Sequence, residues 1–242
     1  MEIGAGTGDL NGASFVFYGE LGRDNYTSEP YQYLRGRGIT FASMRSYLLG
    51  HASRELVPAH FANRIVFPVW DQSENVLGFK GRVYRAGDKY RPKMVVYPTG
   101  SKVGSVPYGL RQAAEYMEEM GFCVIAEGEL DVISLMQAGI PAVGAMTSSL
   151  SSKQANIVRQ YSGNFLVWAD SDKAGFAGAT KTAKLLQSTA AEVYVFYCPG
   201  RDANAVLQDG GEEELRSTIV QMLTAAADEY GSMRDAVELM LR

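Results

Sequence analysis

Two stretches decide the fold: Phe122-Cys-Val-Ile-Ala-Glu127-Gly-Glu-Leu-Asp131, and Phe165-Leu-Val-Trp-Ala-Asp170-Ser-Asp172-Lys-Ala-Gly175. Each begins as a short apolar run and passes directly into acids and a glycine. A run of that length, rich in β-formers and bounded by turn residues, reads as a strand buried on both faces. Residues 142–145 and 193–197 repeat the pattern. Between these four runs lie stretches of helical spacing: 130–137, a segment capped by Ser151 or Ser152 and running to 160, and the Ala-rich 175–186. Strands alternating with helices over short connections predict an α/β fold, a parallel sheet flanked by helices.

In such a sheet the acids fall in one place. Glu127 follows the first strand, Asp170 the third, and Asp202 comes soon after the fourth, in Gly200-Arg-Asp-Ala-Asn204. All three belong to the C-terminal edge, where doubly wound sheets hold their ligands. Carboxylates gathered there repel one another, by roughly 4 kcal/mol for a pair at ~4 Å and an effective dielectric of about 20. A divalent cation relieves that repulsion. All-oxygen ligands without His or Cys point to Mg²⁺ or Mn²⁺. Asp170 and Asp172 stand two apart, so one turn can present both, and Gly128 and Gly175 permit close approach of a phosphate or ion to the backbone. A single acid after a strand is usually a helix N-cap; three on one edge carry the metal reading. Glu129 and Asp131 carry less weight, because Asp131 suits the first turn of a helix.

Upstream, 64–70 (RIVFPVW) and 76–83 flank the turn cluster Asp71-Gln-Ser-Glu-Asn75 and predict a β-hairpin. A basic, strand-like stretch follows at 85–96. Short helices are expected at 31–34 and 41–49 around Gly36 and Gly38, and a longer one at 111–120 after Tyr108-Gly-Leu110. Residues 15–18 suit one short strand. Gly4, Gly6, Gly8 and Gly12 mark 1–28 as a linker or extension. Residues 211–242 read as an acidic, amphipathic helical segment. The expected division is 1–28, a basic subdomain at 29–112, the parallel-sheet subdomain at 113–210, and 211–242.

Charge follows that division. Residues 30–111 hold 13 Lys/Arg against 4 Asp/Glu, whereas 112–242 hold 9 against 18. The basic part suits a polyanion such as a nucleic-acid backbone and the acidic part suits cations. A groove between them is the expected place for the active site. No apolar run is long enough to span a membrane, and the first residues lack the basic start and apolar centre of a secretory signal. Cys123 and Cys198 both lie in apolar runs and read as buried thiols of a reducing compartment. With His51 and His60 alone beside them, no zinc site is expected in this chain.

The acid-bearing stretches resemble the Toprim signature of primases, topoisomerases, some nucleases and recombination proteins. Tyr33-Leu-Arg-Gly-Arg-Gly38, Asn63-Arg-Ile-Val-Phe-Pro-Val-Trp-Asp71, Gly78-Phe-Lys-Gly-Arg82, Pro92-Lys93 and Tyr108-Gly-Leu110 follow the order of the polymerase core of bacterial DnaG-type primases. Arg201-Asp-Ala-Asn204 looks closer to the phage primase–helicases. The resemblance implies short RNA primers made on a single-stranded DNA template from ribonucleoside triphosphates, by two-metal nucleotidyl transfer. Glu127, Asp170, Asp172 and Asp202 would hold the Mg²⁺ or Mn²⁺ ions. Arg37, Arg64, Lys80, Arg82 and Lys93 would contact template or triphosphate. Asn204 stands where an Asp is more usual and would serve the nucleotide instead.

Phe67, Trp70, Phe79, Tyr84 and Tyr90 lie among these cations; Phe67 and Trp70 read as core, Tyr84 and Tyr90 as candidates for stacking on bases. The family further implies a replicative helicase and a zinc-binding module as partners, in cis or in trans, and the cytoplasm of a bacterial cell, with a phage gene as a second source. The competing readings are a Toprim nuclease and a non-catalytic module that binds single-stranded nucleic acid.

Overall fold

The computed structural model describes residues 16–17, 27–52, 57–85, 87, 91–188, 191–229 and 233–240. Tyr90 and nearly all of the 1–28 segment lie outside them. The chain forms two compact units, Met1–Val103 and Gly104–Arg242. The boundary falls earlier than the expected 112/113. The reason is local: the backbone of Tyr108 bridges Gly144, with both bonds at 2.9 Å, so the approach to the 111–120 helix already belongs to the second unit.

In the first unit, β1 (Val16–Phe17), β2 (Gly50–His51), β3 (Ile65–Trp70), β4 (Val76–Arg82) and β5 (Met94–Tyr97) form an antiparallel sheet in that order. The β3–β4 hairpin is closed by Asp71, whose Oδ1 accepts from the backbone N–H of Ser73 and of Asn75, both at 2.9 Å. Those bonds, Asn75 foremost, hold the Asp71 carboxyl below the usual range. Pro68 sits mid-strand without a donor. It is tolerated because β2 pairs only with Ile65 and Val66, so the ladder on that side has ended before Pro68. Helix α1 (Glu29–Gly36) starts with Glu29 and Pro30 and stops at Arg37 and Gly38, the latter at φ 78°. Helix α2 (Phe41–Ser46) is capped by the Thr40 side chain accepting from Ser43 N–H. Ala52, Phe61, Ala62, Val66 and Phe79 form the core beneath the sheet.

In the second unit, β6 (Cys123–Ala126), β7 (Ala142–Gly144), β8 (Asn164–Trp168) and β9 (Glu192–Phe196) form a wholly parallel sheet in the order β7-β6-β8-β9. Helices α3 (Leu110–Met120), α4 (Glu129–Gln137), α5 (Ser152–Val158), α6 (Lys173–Gln187), α7 (Ala203–Glu229) and α8 (Arg234–Met240) accompany it. Ser151 is the cap of α5, in a full capping box with Gln154. Helix α7 begins eight residues before the expected helical segment and bends at Gly211, φ 76°. Gly210-Gly211 looks like a break in sequence; in the fold it is a kink. The chain leaves β6 toward β7, then returns to the other side of β6 to make β8. The loops after β6 and β8 therefore diverge, and the crevice of this sheet opens between those two strands.

Candidate active site

Glu127 and Asp170 stand just past the ends of β6 and β8, the two strands that flank the reversal of strand order. Both line a small cleft with Ser148, Trp168, Gly175 and Thr182. Gly175 is required there. A Cβ at 175 would lie 2.6 Å from the Asp170 Cβ and 2.7 Å from its carbonyl oxygen. The glycine thus lets the first turn of α6 sit directly against Asp170.

Asp172 and Asp202 are placed by helix ends. Asp172 Oδ1 accepts from Gly175 N–H at 2.7 Å and caps α6. Asp202 Oδ1 accepts from Ala205 N–H at 2.7 Å at the start of α7. Each cap occupies one carboxylate oxygen; the second oxygen of each is uncommitted among the described residues. Ser171, between the two acids of its loop, was not foreseen. Its hydroxyl donates to the Cys198 carbonyl and accepts from Gly200 N–H, both at 3.0 Å, tying the loop after β8 to the loop that leads to Asp202. A serine flanked by two acids was the available signal.

The donor chemistry fits a hard divalent cation: carboxylates only, at one sheet edge, beside a glycine cradle. Among the described residues, no group of three or more His, Cys, Asp or Glu converges closely enough to hold an ion. Asp131 and Glu129 are buried in the first turn of α4. Asp131 Oδ1 accepts from Asn204 N–H at 3.0 Å, a bond between α4 and α7.

Three of the expected nucleic-acid contacts are buried side chains. Arg64 is 1 % exposed and holds backbone carbonyls: Nε on His60 at 3.1 Å, and Nη1 on Gly81, Pro92 and Lys93 at 3.2, 2.9 and 3.4 Å. Its fork fastens strand and loop. Asn204 is 0 % exposed, with its amide donating to Ser134 Oγ at 2.9 Å, so it joins α7 to α4. Lys80 is 8 % exposed, in the middle of β4 between Phe67 and Val96. Arg37, Arg82 and Lys93 keep accessible surface; Arg82 Nε donates to Tyr33 Oη at 3.2 Å. Phe67 and Phe79 are core, Trp70 is half-buried, and Tyr84 is buried against Tyr33 and His51 with Arg85 over its ring. Cys123 and Cys198 are free, buried thiols, each pushed up chiefly by burial. Among the described residues no helix is long and apolar enough to cross a membrane.

Residues 124–207 match the family model described as Toprim-like. The DNA primase of Aquifex aeolicus is 30 % identical over 223 residues, covering 79 % of this chain and 44 % of that protein. The solved zinc-binding and RNA-polymerase domains of the Aquifex aeolicus primase superpose with a TM-score of 0.70 at 28 % identity, covering 89 % of this chain and 63 % of that one. A DnaG primase catalytic domain solved bound to single-stranded DNA shares the fold, with a TM-score of 0.67 at 22 % identity over 84 % of this chain and 77 % of that one. The chain spans less than half the length of the curated relatives it matches first. Residues 124–207 are a Toprim domain, and the chain that carries them is a homologue of the DNA primases.

Proposed function

We propose that this chain polymerises ribonucleotides into short RNA primers on single-stranded DNA, as the catalytic core of a primase. The observation that carries this reading is the pairing of Glu127 and Asp170 across the switch point of a parallel sheet, in a chain homologous to DNA primases over most of its length. Mg²⁺ or Mn²⁺, as two ions held by Glu127, Asp170, Asp172 and Asp202, would neutralise the triphosphate and make the primer 3′-hydroxyl a better nucleophile. The chain's own contribution is placement. Gly175 keeps the turn against Asp170, Ser171 ties the acidic loops together, and the N-caps fix Asp172 and Asp202 by one oxygen each. Arg37, Arg82 and Lys93, all with accessible surface, suit template or triphosphate phosphates.

The expected setting is a bacterial cytoplasm, with a replicative helicase and a zinc-binding module as partners in cis or in trans. The test is to incubate the purified chain with Mg²⁺ or Mn²⁺, single-stranded DNA and ribonucleotides, labelling the nucleotide in one arm and the DNA in the other. Labelled short RNA supports a primase. Shortened DNA with no RNA supports a Toprim nuclease and contradicts the proposal.

A further inference from the structure

The second unit is acidic, yet one helix face within it carries cations alone. Helix α6 holds Lys173, Lys181 and Lys184 and no acid from its first residue to its last. At the α-helical repeat, positions 173, 176, 177, 180, 181 and 184 share one side, and all of them are exposed. The opposite side, including Gly178, Ala179, Ala183 and Leu186, is buried. Among the described residues, none of the three lysines has a carboxylate partner, and neither has Lys153 on α5. Three of the unit's arginines are differently engaged. Arg201 pairs with Glu214 at 2.7 Å and Asp209 at 3.6 Å, while Arg159 and Arg216 donate to the carbonyls of Leu185 and Ala138.

The lysine face borders a groove of about 690 Å³ whose walls include Ser151, Ser152, Thr180, Lys181, Lys184 and Ser188. Hydroxyls and ammonium groups, here set beside the apolar Leu150, Ala177 and Leu185, are the side chains that meet phosphate oxygens without reading sequence. At the other end of the face, four residues past Asp172, stands Phe176, 40 % exposed. Its ring lies 5.0 Å from that of Tyr197, 49 % exposed, in an edge-to-face pair. Two neighbouring aromatic rings left in solvent beside unpaired cations form a surface on which an unpaired base can stack.

We propose that this face of α6 is a track for single-stranded nucleic acid: Lys181 and Lys184 with the groove hydroxyls take the backbone, and the Phe176–Tyr197 pair stacks a base near the acidic edge. The inference rests on the nucleic-acid reading of the chain but not on its chemistry. An acidic protein segment would satisfy the lysines equally; the exposed rings favour nucleic acid.

The experiment is fluorescence anisotropy of a labelled oligothymidylate of about 20 nucleotides, with the full chain in EDTA, across a salt series. Lys181→Glu with Lys184→Glu is expected to weaken binding at least about tenfold, and to reduce the slope of log affinity against log salt by about 1.4, at roughly 0.7 per lost phosphate contact. Phe176→Ala with Tyr197→Ala is expected to weaken binding roughly five- to a hundredfold with the salt slope unchanged. All four side chains are exposed, so the variants should melt with the parent, and circular dichroism checks it. Unaltered affinity and slope in the lysine variant overturn the proposal. So does a result in which polyglutamate competes as well as DNA of equal charge and the aromatic variant binds like the parent, because the face then suits an acidic protein. Failure of primer synthesis with track binding intact would remove the activity reading alone. Primer synthesis with all variants binding as the parent would remove the track alone.

Discussion

At the residue scale, Glu127 and Asp170 are the residues on which the activity should depend. Each lines the cleft at the switch point, Glu127 one residue and Asp170 two residues beyond a strand that fixes its backbone. Charge stabilisation by a bound divalent ion is worth several kcal/mol, and every 1.36 kcal/mol is tenfold in rate. Glu127→Gln or Asp170→Asn should therefore lower primer synthesis by more than about a hundredfold, with the melting temperature close to that of the parent. Arg64 should behave in the opposite way. Its removal strands buried carbonyls at about 1–3 kcal/mol each, so Arg64→Met should cost about 3 kcal/mol or more, roughly 6–12 °C in melting temperature for a chain of this size. Arg64→Lys should not restore it, since an ammonium lacks the planar fork that reaches several carbonyls at once.

The two cases also show what a sequence discloses about single residues. Glu127 and Asp170 were legible because an acid after a buried strand has a predictable place. The burial of Arg64 was not, because arginine ahead of an apolar run looks like a surface cation, and only the β4 backbone crossing at Gly81 shows what it holds. A Cβ at Gly81 would lie 2.9 Å from Arg64 Cδ.

At the scale of elements, the four parallel strands declared themselves because burial on both faces leaves uninterrupted apolar runs. The first unit's sheet did so in part: the β3–β4 hairpin and the short strand at 15–18 follow their sequence runs, whereas β2 carries no run of its own. Strand β2 has two residues, too short for any periodicity, and exists through the register of β1 and β3. Helix α6 shows how tightly an element can be seated. A Cβ at Gly178 would lie 1.8 Å from the Ser148 carbonyl oxygen, so Gly178→Ala must push the helix off the loop after β7. Overpacking of that kind costs about 1–3 kcal/mol, and a denaturant melt of the variant reads it; a midpoint equal to the parent's would show that the seat is looser than described.

His51 in β2 gives a pH signature. Burial first, then Arg85, lowers its pKa below the ordinary value, with Glu29 opposing. The unfolded chain thus takes up the proton near pH 6.5 while the folded chain still resists it. The stability linked to His51 is full above that pH and declines as pH falls from about 6.5 toward the lower folded value. Melting temperature followed from pH 7.5 to 5 should drop less steeply in His51→Gln than in the parent; parallel curves would exclude a contribution from His51.

At the scale of the molecule, the net charge of −4 conceals two opposed halves, with 13 Lys/Arg against 4 Asp/Glu in residues 30–111 and 9 against 18 in 112–242. Segregated cations let an acidic protein bind a polyanion. Affinity for single-stranded DNA should therefore fall as salt rises, by a slope of about 0.7 for each phosphate contact, and an affinity indifferent to salt would rule out backbone contacts as its source. The acidic half matters for a different reason, since its carboxylates at the sheet edge lie where phosphoryl transfer is proposed.

The most direct test of that claim is a metal titration of primer synthesis. Parent, Glu127→Gln and Asp170→Asn would each be given single-stranded DNA, labelled ribonucleotides and rising Mg²⁺ or Mn²⁺, with a zinc-binding module and helicase supplied in trans in a parallel series. The prediction is short RNA from the parent that rises with metal and saturates, and none above background from either variant. Equal RNA from parent and variants, or no RNA from the parent in either series, would contradict it.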